Sequence, residues 1–359
     1  MKLHILSRYS RLGASTRLRT QQYLPYLAAA GFEVEVASFF DDAYLARLYS
    51  GARPRRGMIR YFGNRLQQLR AATGADVIWL EKEALPWVPF AIEHRLMPRG
   101  VPVVSDYDDA VYHSYDQHRL AAVRALLGSK IDGVMANSAM VFAGNPYLAD
   151  HARAAGARRV EIIPTVVDVT AYQHRPFPSA DGKPRVGWIG TPRTWAEHGV
   201  PMLAMLSDIM ARQGAVFRAI GAGQPPAPPA NFEFPDWSEA SEVRQIQGLD
   251  IGIMPLTDTP ISRGKCAYKL IQYMACGVPV IASPIGVNAS VVEHGVNGFL
   301  ASTETEWRDR LDTLLADPDL RRRMGEAGRR KVVAEYSIQT YGPKVAALLA
   351  GVAAAGPAA

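Results

Sequence analysis

Short apolar runs rich in β-branched and aromatic residues recur along this chain, each separated from the next by a longer stretch of helical periodicity. That alternation constrains the fold most. Parallel strands cannot be joined by tight turns and need crossovers of a dozen or more residues, usually helical. The first series is KLHIL, EVEVASF, DVIWLE, VPVVSDYDD, MVFAG and VEIIPT, with a helix through RLRTQQYLPYLAAAG after its first strand, and it ends near Pro164. The polar, proline-bearing stretch YQHRPFPSADGKP reads as a linker. RVGWIG, VFRAIG, NFEFPDW, LDIGIMPL and PVIAS then repeat the rhythm. Two parallel-sheet α/β domains with a cleft between them are expected, and ligands of open α/β sheets bind beyond the carboxyl ends of the strands.

Composition narrows the class. The chain has 359 residues, 48% of them apolar, which excludes general disorder and suits two cores better than one. A formal charge of +6, concentrated in the N-terminal half, permits an anionic partner without demanding nucleic acid. Cys266 and Cys276 are the only cysteines, too few for a disulfide framework or a four-thiolate zinc site. MKLHILSRYSRLGAS reads as strand and loop, not as a secretion signal, and no stretch offers the roughly 20 apolar residues needed to span a bilayer. A cytoplasmic protein is expected.

Several segments carry candidate chemistry. In RGKCAYKLIQYMACGVPVIAS, Leu270, Ile271, Met274 and Ala275 recur at helical spacing, so Gly264-Lys265 is expected to open a helix. Arg263, Lys265 and Lys269 beside unpaired helix amides would suit a phosphate or diphosphate, although a solvated basic turn has the same composition. Gly190, Thr191 and Arg193 in WIGTPRTW form a second such turn, but nothing completes a dinucleotide fingerprint, and Pro225-Pro226 blocks the helix that fingerprint needs. In the first half, WLEKEALPW brings Glu81 and Glu83 to a strand end. SDYDDAVYHSYD brings Asp106, Asp108, Asp109, His113 and Asp116 to another. Such groups can bind sugar hydroxyls, serve as bases, ligate a divalent metal, or merely cap a helix, the last expected of Asp106 or Asp109. No serine-hydrolase elbow is present, and neither thiol has an evident histidine partner. ARPRRGMIRYFGNRLQQLR, residues 52–70, has six arginines and no acid; Met58, Ile59, Phe62, Leu66 and Leu69 are expected on one helix face. Such a helix can rest on an anionic membrane or pack ordinarily on a sheet.

KLIQYMACGVPVIASPIGVNASVVEHGVNGFLA, residues 269–301, resembles the nucleotide-sugar signature of family-4-like retaining glycosyltransferases of the GT-B fold. GASTRLRTQQYLPYLAAAGFEVEV looks like that family's opening loop and first helix. VFAGNPYLADHARAAGARRVEIIPTVVD and LADPDLRRRMGEAGRRKVVAEYS are similar to later segments. The resemblance implies Rossmann-like domains over 1–168 and 185–336, a linker over 169–184, and a C-terminal helix and tail over 337–359 returning to the first domain. It implies diphosphate contacts from Gly190, Thr191, Arg193, Arg263, Lys265 and Lys269. Gly13, Ser15, Arg17, Glu81 and Glu83 would face the acceptor, and Asp108, Asp109 or His113 would stand where the family carries a histidine. The family's two donor glutamates fall on Gly264 and Gln272, so Asp258, Gln272 and the Gly286, Val287 and Asn288 turn are expected to hold ribose and sugar.

The expected activity is therefore sugar transfer, with retention, from a nucleotide diphosphate donor to a glycan or lipid-linked acceptor of the cell envelope. No metal or other cofactor is expected to be obligatory, and no nucleic acid is expected to bind. Contact with the inner face of a membrane is expected through residues 52–70. A nucleotide-sugar epimerase of similar fold and a non-catalytic nucleotide-sugar-binding protein are the alternatives.

Overall fold

A computed structural model describes residues 1–49, 57–174 and 182–356. The chain divides into two compact units. The first comprises Met1–Thr165, Gly264–Cys266 and Ile338–Ala359; the second comprises Val166–Arg263 and Ala267–Ser337. Arg53, Arg55 and Arg56 of the basic stretch, and residues 175–181 of the expected linker, lie outside the described residues.

The first unit is built on a six-stranded parallel sheet: β1 (Lys2–Tyr9), β2 (Glu33–Phe40), β3 (Val77–Glu81), β4 (Val103–Tyr107), β5 (Met140–Ala143) and β6 (Val160–Ile162), in the order β2-β1-β3-β4-β5-β6. Every residue of β3 and β5 is buried, which is why these strands read as unbroken apolar runs instead of alternating ones. The second unit repeats the plan with β7 (Arg185–Ile189), β8 (Val216–Ile220), β9 (Phe232–Glu233), β10 (Ile251–Met254), β11 (Val280–Ala282) and β12 (Gly298–Leu300), in the order β12-β11-β10-β7-β8-β9. The order in which strands are added reverses between β1 and β3 and between β10 and β7, the switch points where α/β sheets gather ligands. Sequence reading does not anticipate β12, because three residues, Gly-Phe-Leu, carry too little pattern.

Local signals explain the helix ends. The Thr303 hydroxyl accepts from the Glu306 amide at 3.2 Å while the Glu306 carboxylate accepts from Thr303 N at 3.1 Å, closing a capping box. Asp317 Oδ1 accepts from Leu320 N at 2.8 Å, with Pro318 in the first turn. The helix expected after β1 is interrupted: Ala14–Arg19, a 3-10 turn at Gln21–Tyr23, then Leu24–Ala29, with the imino residue Pro25 in the first turn of the last piece. The C-terminal helix Ile338–Ala355 packs on Leu24–Ala29, as the resemblance implies.

The basic stretch differs from expectation. Its described part is the helix Met58–Ala71, whose Met58, Tyr61, Phe62, Leu66 and Leu69 pack into the first core. Ile59 does not share that face and is 88% exposed. Arg65 is fully buried, donating to the carbonyls of Ser7 at 2.5 Å and Ala37 at 3.3 Å. Most of the stripe assigned to a membrane is thus consumed by sheet packing.

Candidate active site

Apart from Lys265, which belongs to the first unit, the donor-side candidates lie on the segments that follow β7, β10 and β11 in the second unit. Gly190 follows β7, and Thr191 caps the helix Pro192–His198 in a capping box with Thr194. Its hydroxyl is therefore committed to the cap, while Arg193 stands exposed in the first turn. After β10, Asp258 and Arg263 form a bidentate pair, Arg263 Nε to Oδ1 at 2.7 Å and Nη2 to Oδ2 at 2.9 Å. The pair joins two residues expected to act separately on sugar and diphosphate.

The expected helix start at Lys265 is corrected. Arg263 ends the short helix Pro260–Arg263, and the next helix is Tyr268–Ala275, entered through Ala267 in left-handed backbone at φ 52°. That conformation cannot continue a right-handed helix, so Lys265 precedes it by three residues. Lys269 does lie in the helix's first turn, its Nζ 5.3 Å from the centroid of the Trp188 ring on β7. The cation–π contact ties β7 to the basic segment. The turn after β11 closes on the same place. A Cβ on Gly286, whose φ is 55°, would come within 2.6 Å of the Arg263 carbonyl oxygen, so that turn needs glycine. Asn288 is buried and donates to Ser283 O at 3.1 Å, which fixes the turn and leaves its backbone amides as the groups that can meet a ligand. Val287 packs against the second core.

Gln272 is 2% exposed, its Nε2 donating to Tyr172 Oη at 2.8 Å. Tyr172 in turn donates to Glu242, which also accepts from Trp237 Nε1 at 2.6 Å. The amide anchors a buried network rather than presenting itself at the surface. Gly264 has a different explanation. A Cβ there would lie 2.5 Å from Ala110 Cβ and 2.8 Å from Ala110 N. Asn145 Nδ2 donates to Gly264 O at 2.9 Å, and Cys266 Sγ to Asp108 O at 2.9 Å. Residues 264–266 are thereby pinned to the first unit, and no side chain fits at 264.

The acceptor-side candidates gather at the ends of β1, β3 and β4. Asp106, on β4, is buried between Arg19 Nε at 2.8 Å and Trp79 Nε1 at 3.2 Å. It does not cap a helix. Burial pushes its carboxyl up to about 6 against the pull of Arg19, leaving it ionised at neutral pH. Glu81 accepts from Thr16 Oγ1 at 2.6 Å and Arg8 N at 3.1 Å, holding the helix Ala14–Arg19, which carries Ser15 and Arg17 and starts after Gly13. Glu83 is enclosed by Lys130 at 2.5 Å, Arg8 at 3.3 Å and the Tyr115 hydroxyl at 2.9 Å. Asp109 contributes its carbonyl to the Val111 amide at 2.8 Å. His113 has Nδ1 3.0 Å from Asp116 and Nε2 3.0 Å from Tyr147 Oη, so both ring nitrogens are engaged.

Asp108 emerges with a partner that sequence reading missed. Lys82 Nζ is 2.9 Å from its Oδ1 and donates to Ser15 Oγ at 3.4 Å. Burial would raise the Asp108 carboxyl, but Lys82 and the Ser15 hydroxyl outweigh it and hold it below the ordinary aspartate value. Lys82 is 5% exposed and sits at φ 66°, a left-handed conformation that a lysine adopts at a cost of order 1–3 kcal/mol. In the sequence it is only the middle of Glu-Lys-Glu, and nothing in that triplet reports its backbone.

The family profile "Glycosyl transferases group 1" matches residues 241–331. Over 69 residues the chain is 38% identical to N-acetyl-alpha-D-glucosaminyl L-malate synthase of Bacillus anthracis, and over 71 residues 32% identical to spore coat protein SA of Bacillus subtilis (strain 168). Each match covers 19% of this chain, and 18% and 19% of the relative, so the chain spans less than a fifth of either curated relative's length. Whole-chain likeness is structural. Sucrose-phosphate synthase from Thermosynechococcus elongatus superposes with a TM-score of 0.72 at 15% identity, covering 99% of this chain and 100% of that one. Anabaena HepE, solved with UDP-glucose, superposes at 0.73 and 17% identity over 98% and 100%. WaaG, described as a glycosyltransferase of lipopolysaccharide biosynthesis, superposes at 0.66 and 12% over 98% and 100%. The chain has the GT-B fold, and its residues 241–331 match the group 1 glycosyltransferase profile.

Proposed function

We propose that this protein transfers a sugar from a nucleotide diphosphate donor to an acceptor hydroxyl, with retention at the anomeric carbon, in assembly of a cell-envelope polysaccharide or glycolipid. What carries this proposal is the clustering of Lys269, the Arg263–Asp258 pair and the amides around Gly286 at the β7, β10 and β11 ends, within or beside the group 1 segment. HepE, of the same fold, has been solved with UDP and with UDP-glucose.

Transfer needs little covalent help from side chains. Charge growing on the departing diphosphate is stabilised by Lys265, Lys269, Arg193 and turn amides, fixed before the reaction begins. Arg263 joins them by exchanging Asp258 for phosphate. The leaving phosphate oxygen takes the acceptor proton on the same face, and the Asp108 carboxylate orients the acceptor hydroxyl. Lysine and arginine thus provide the positive charge, and we propose that no divalent ion is obligatory. EDTA should leave initial rates unchanged; loss restored by Mg²⁺ or Mn²⁺ would refute this part.

Lys265→Ala with Lys269→Ala is expected to weaken nucleoside diphosphate binding at least a hundredfold, two charge-assisted contacts at about 1.5–3 kcal/mol each, with little change in melting temperature. Unchanged affinity by calorimetry would remove the donor assignment. Nucleotide sugars incubated without acceptor test the reaction class: an isomerised donor sugar would mean an epimerase. Product anomeric configuration, read by NMR, tests retention.

A further inference from the structure

Apart from both constellations, the first unit contains a cavity of about 650 Å³. It opens at the amino edge of the sheet: Val101–Val103 lead into β4, Ala139 precedes β5, and Arg158 and Arg159 precede β6. Asp106 and Asp108 lie at the opposite edge, one strand length or roughly 15 Å away, so this space is not part of the candidate active site.

Its lining divides sharply by chemistry. Leu80, Phe90, Met97, Val101 and Val134 make an apolar wall. Arg95, Arg99, Arg158 and Arg159 also border it, all exposed to solvent. Glu93 is the one acidic residue of the lining, and its carboxylate is already held by the amides of Ala84 and Leu85, both at 3.0 Å, and by Lys130 at 3.1 Å. Arg159 reaches Glu161 at 3.3 Å. Arg95, Arg99 and Arg158 make no hydrogen bond or ion pair among the described residues. Exposed arginines of the second unit such as Arg212, Arg308 and Arg322 are each paired with carboxylates. Three unneutralised guanidinium groups around one mouth repel each other unless an anion joins them, and their planar forks match phosphate oxygens in pairs. A cavity of this volume holds an organic ligand rather than a bare ion, and its apolar wall favours hydrocarbon.

We propose that this cavity binds a phosphate monoester carried on a hydrocarbon chain, with the phosphate among Arg95, Arg99 and Arg158 and the chain against Phe90, Met97 and Val134. Such a ligand can come as a monomer or from a bilayer, and Ile92 and Leu96 are exposed on the helix that carries Arg95. The site does not depend on the glycosyltransferase assignment, because no donor-side or acceptor-side candidate lines it.

Calorimetry with monomeric dihexanoyl phosphatidic acid should show saturable binding. Arg99→Ala with Arg158→Ala should weaken it about a hundredfold, as expected for two charge-assisted contacts. Gly351→Phe should block it independently: Gly351 borders the cavity, and a Cβ there meets nothing within 4 Å, so the ring can occupy the space without disturbing the helix. Flotation with phosphatidylcholine vesicles, with and without phosphatidic acid, separates the sources. Arginine-dependent flotation assigns the ligand to a bilayer, and monomer binding without flotation assigns it to a dispersed lipid phosphate. Absence of saturable binding, indifference to both variants, or equally tight binding of inorganic phosphate alone would overturn the proposal.

Discussion

Gly264→Glu, which places at 264 the acidic side chain usual in the family, is expected to destabilise the protein by about 3 kcal/mol or more instead of improving catalysis. The first side-chain carbon would sit 2.5 Å from Ala110 Cβ and 2.8 Å from Ala110 N. The backbone of one segment would have to move. A carboxylate buried there would also lack the partners that hold the neighbouring acids. For a unit of this size the loss corresponds to a melting temperature lower by about 6–12 °C. Gly264→Ala with Ala110→Gly should recover part of the loss from Gly264→Ala alone, because one of the two clashes is removed. A Gly264→Glu protein melting within about 2 °C of the parent would show that the segment does not hold this close approach in solution.

The second large effect concerns Lys82 and Asp108. Asp108→Asn should lower turnover about 10²–10³-fold with modest change in donor affinity, since the amide cannot accept from the acceptor hydroxyl as a carboxylate does. Lys82→Met should lower turnover too, with a distinct pH signature. In the parent, Lys82 helps keep the Asp108 carboxyl below its ordinary value, so its contribution to stability is present above about pH 4 and is lost as pH falls through the folded-state value. Without Lys82, burial is opposed only by the Ser15 hydroxyl and Arg19, and the carboxyl titrates higher than in the parent. The acid limb of the rate profile should then move toward neutrality. The stability deficit of the variant, about 3 kcal/mol at pH 8, should shrink as the pH falls and Asp108 takes up a proton. A deficit independent of pH would mean that Lys82 supports the backbone only.

The architecture was readable because its cause is local and repeated. Strands such as DVIWLE and MVFAG are buried on both faces and must be apolar throughout, and crossover helices separate them. The caps at Thr303 and Asp317 were legible for the same reason, since each requires only a polar residue three positions before its partner. The candidate site was legible in residue type and less so in geometry. Arg263 and Asp258 are five apart and were assigned to different ligands, yet they hold each other, a matter of backbone path that charge alone does not report. Ala267 has no sequence preference for the left-handed region, so the delayed helix start left no trace. Gln272 looked like a ligand contact because its burial depends on Tyr172, one hundred residues away. The burial of Arg65 left no sequence signal either: its partners are the carbonyls of Ser7 and Ala37, and a helical wheel shows neither.

The first unit is assembled from three separate stretches of chain: the first 165 residues, the short Gly264–Cys266 segment, and everything from Ile338 onward. On a ribosome, the amino-terminal sheet can therefore form early but cannot be finished. The Leu24–Ala29 helix waits for Ile338–Ala355 to cover it, and the β4 end waits for Cys266. The first unit is therefore completed only after the whole of the second has been made. A chain ending after Thr165 would leave the Leu24–Ala29 helix uncovered, whereas Val166–Arg263 and Ala267–Ser337 are encoded before Ile338–Ala355 emerges.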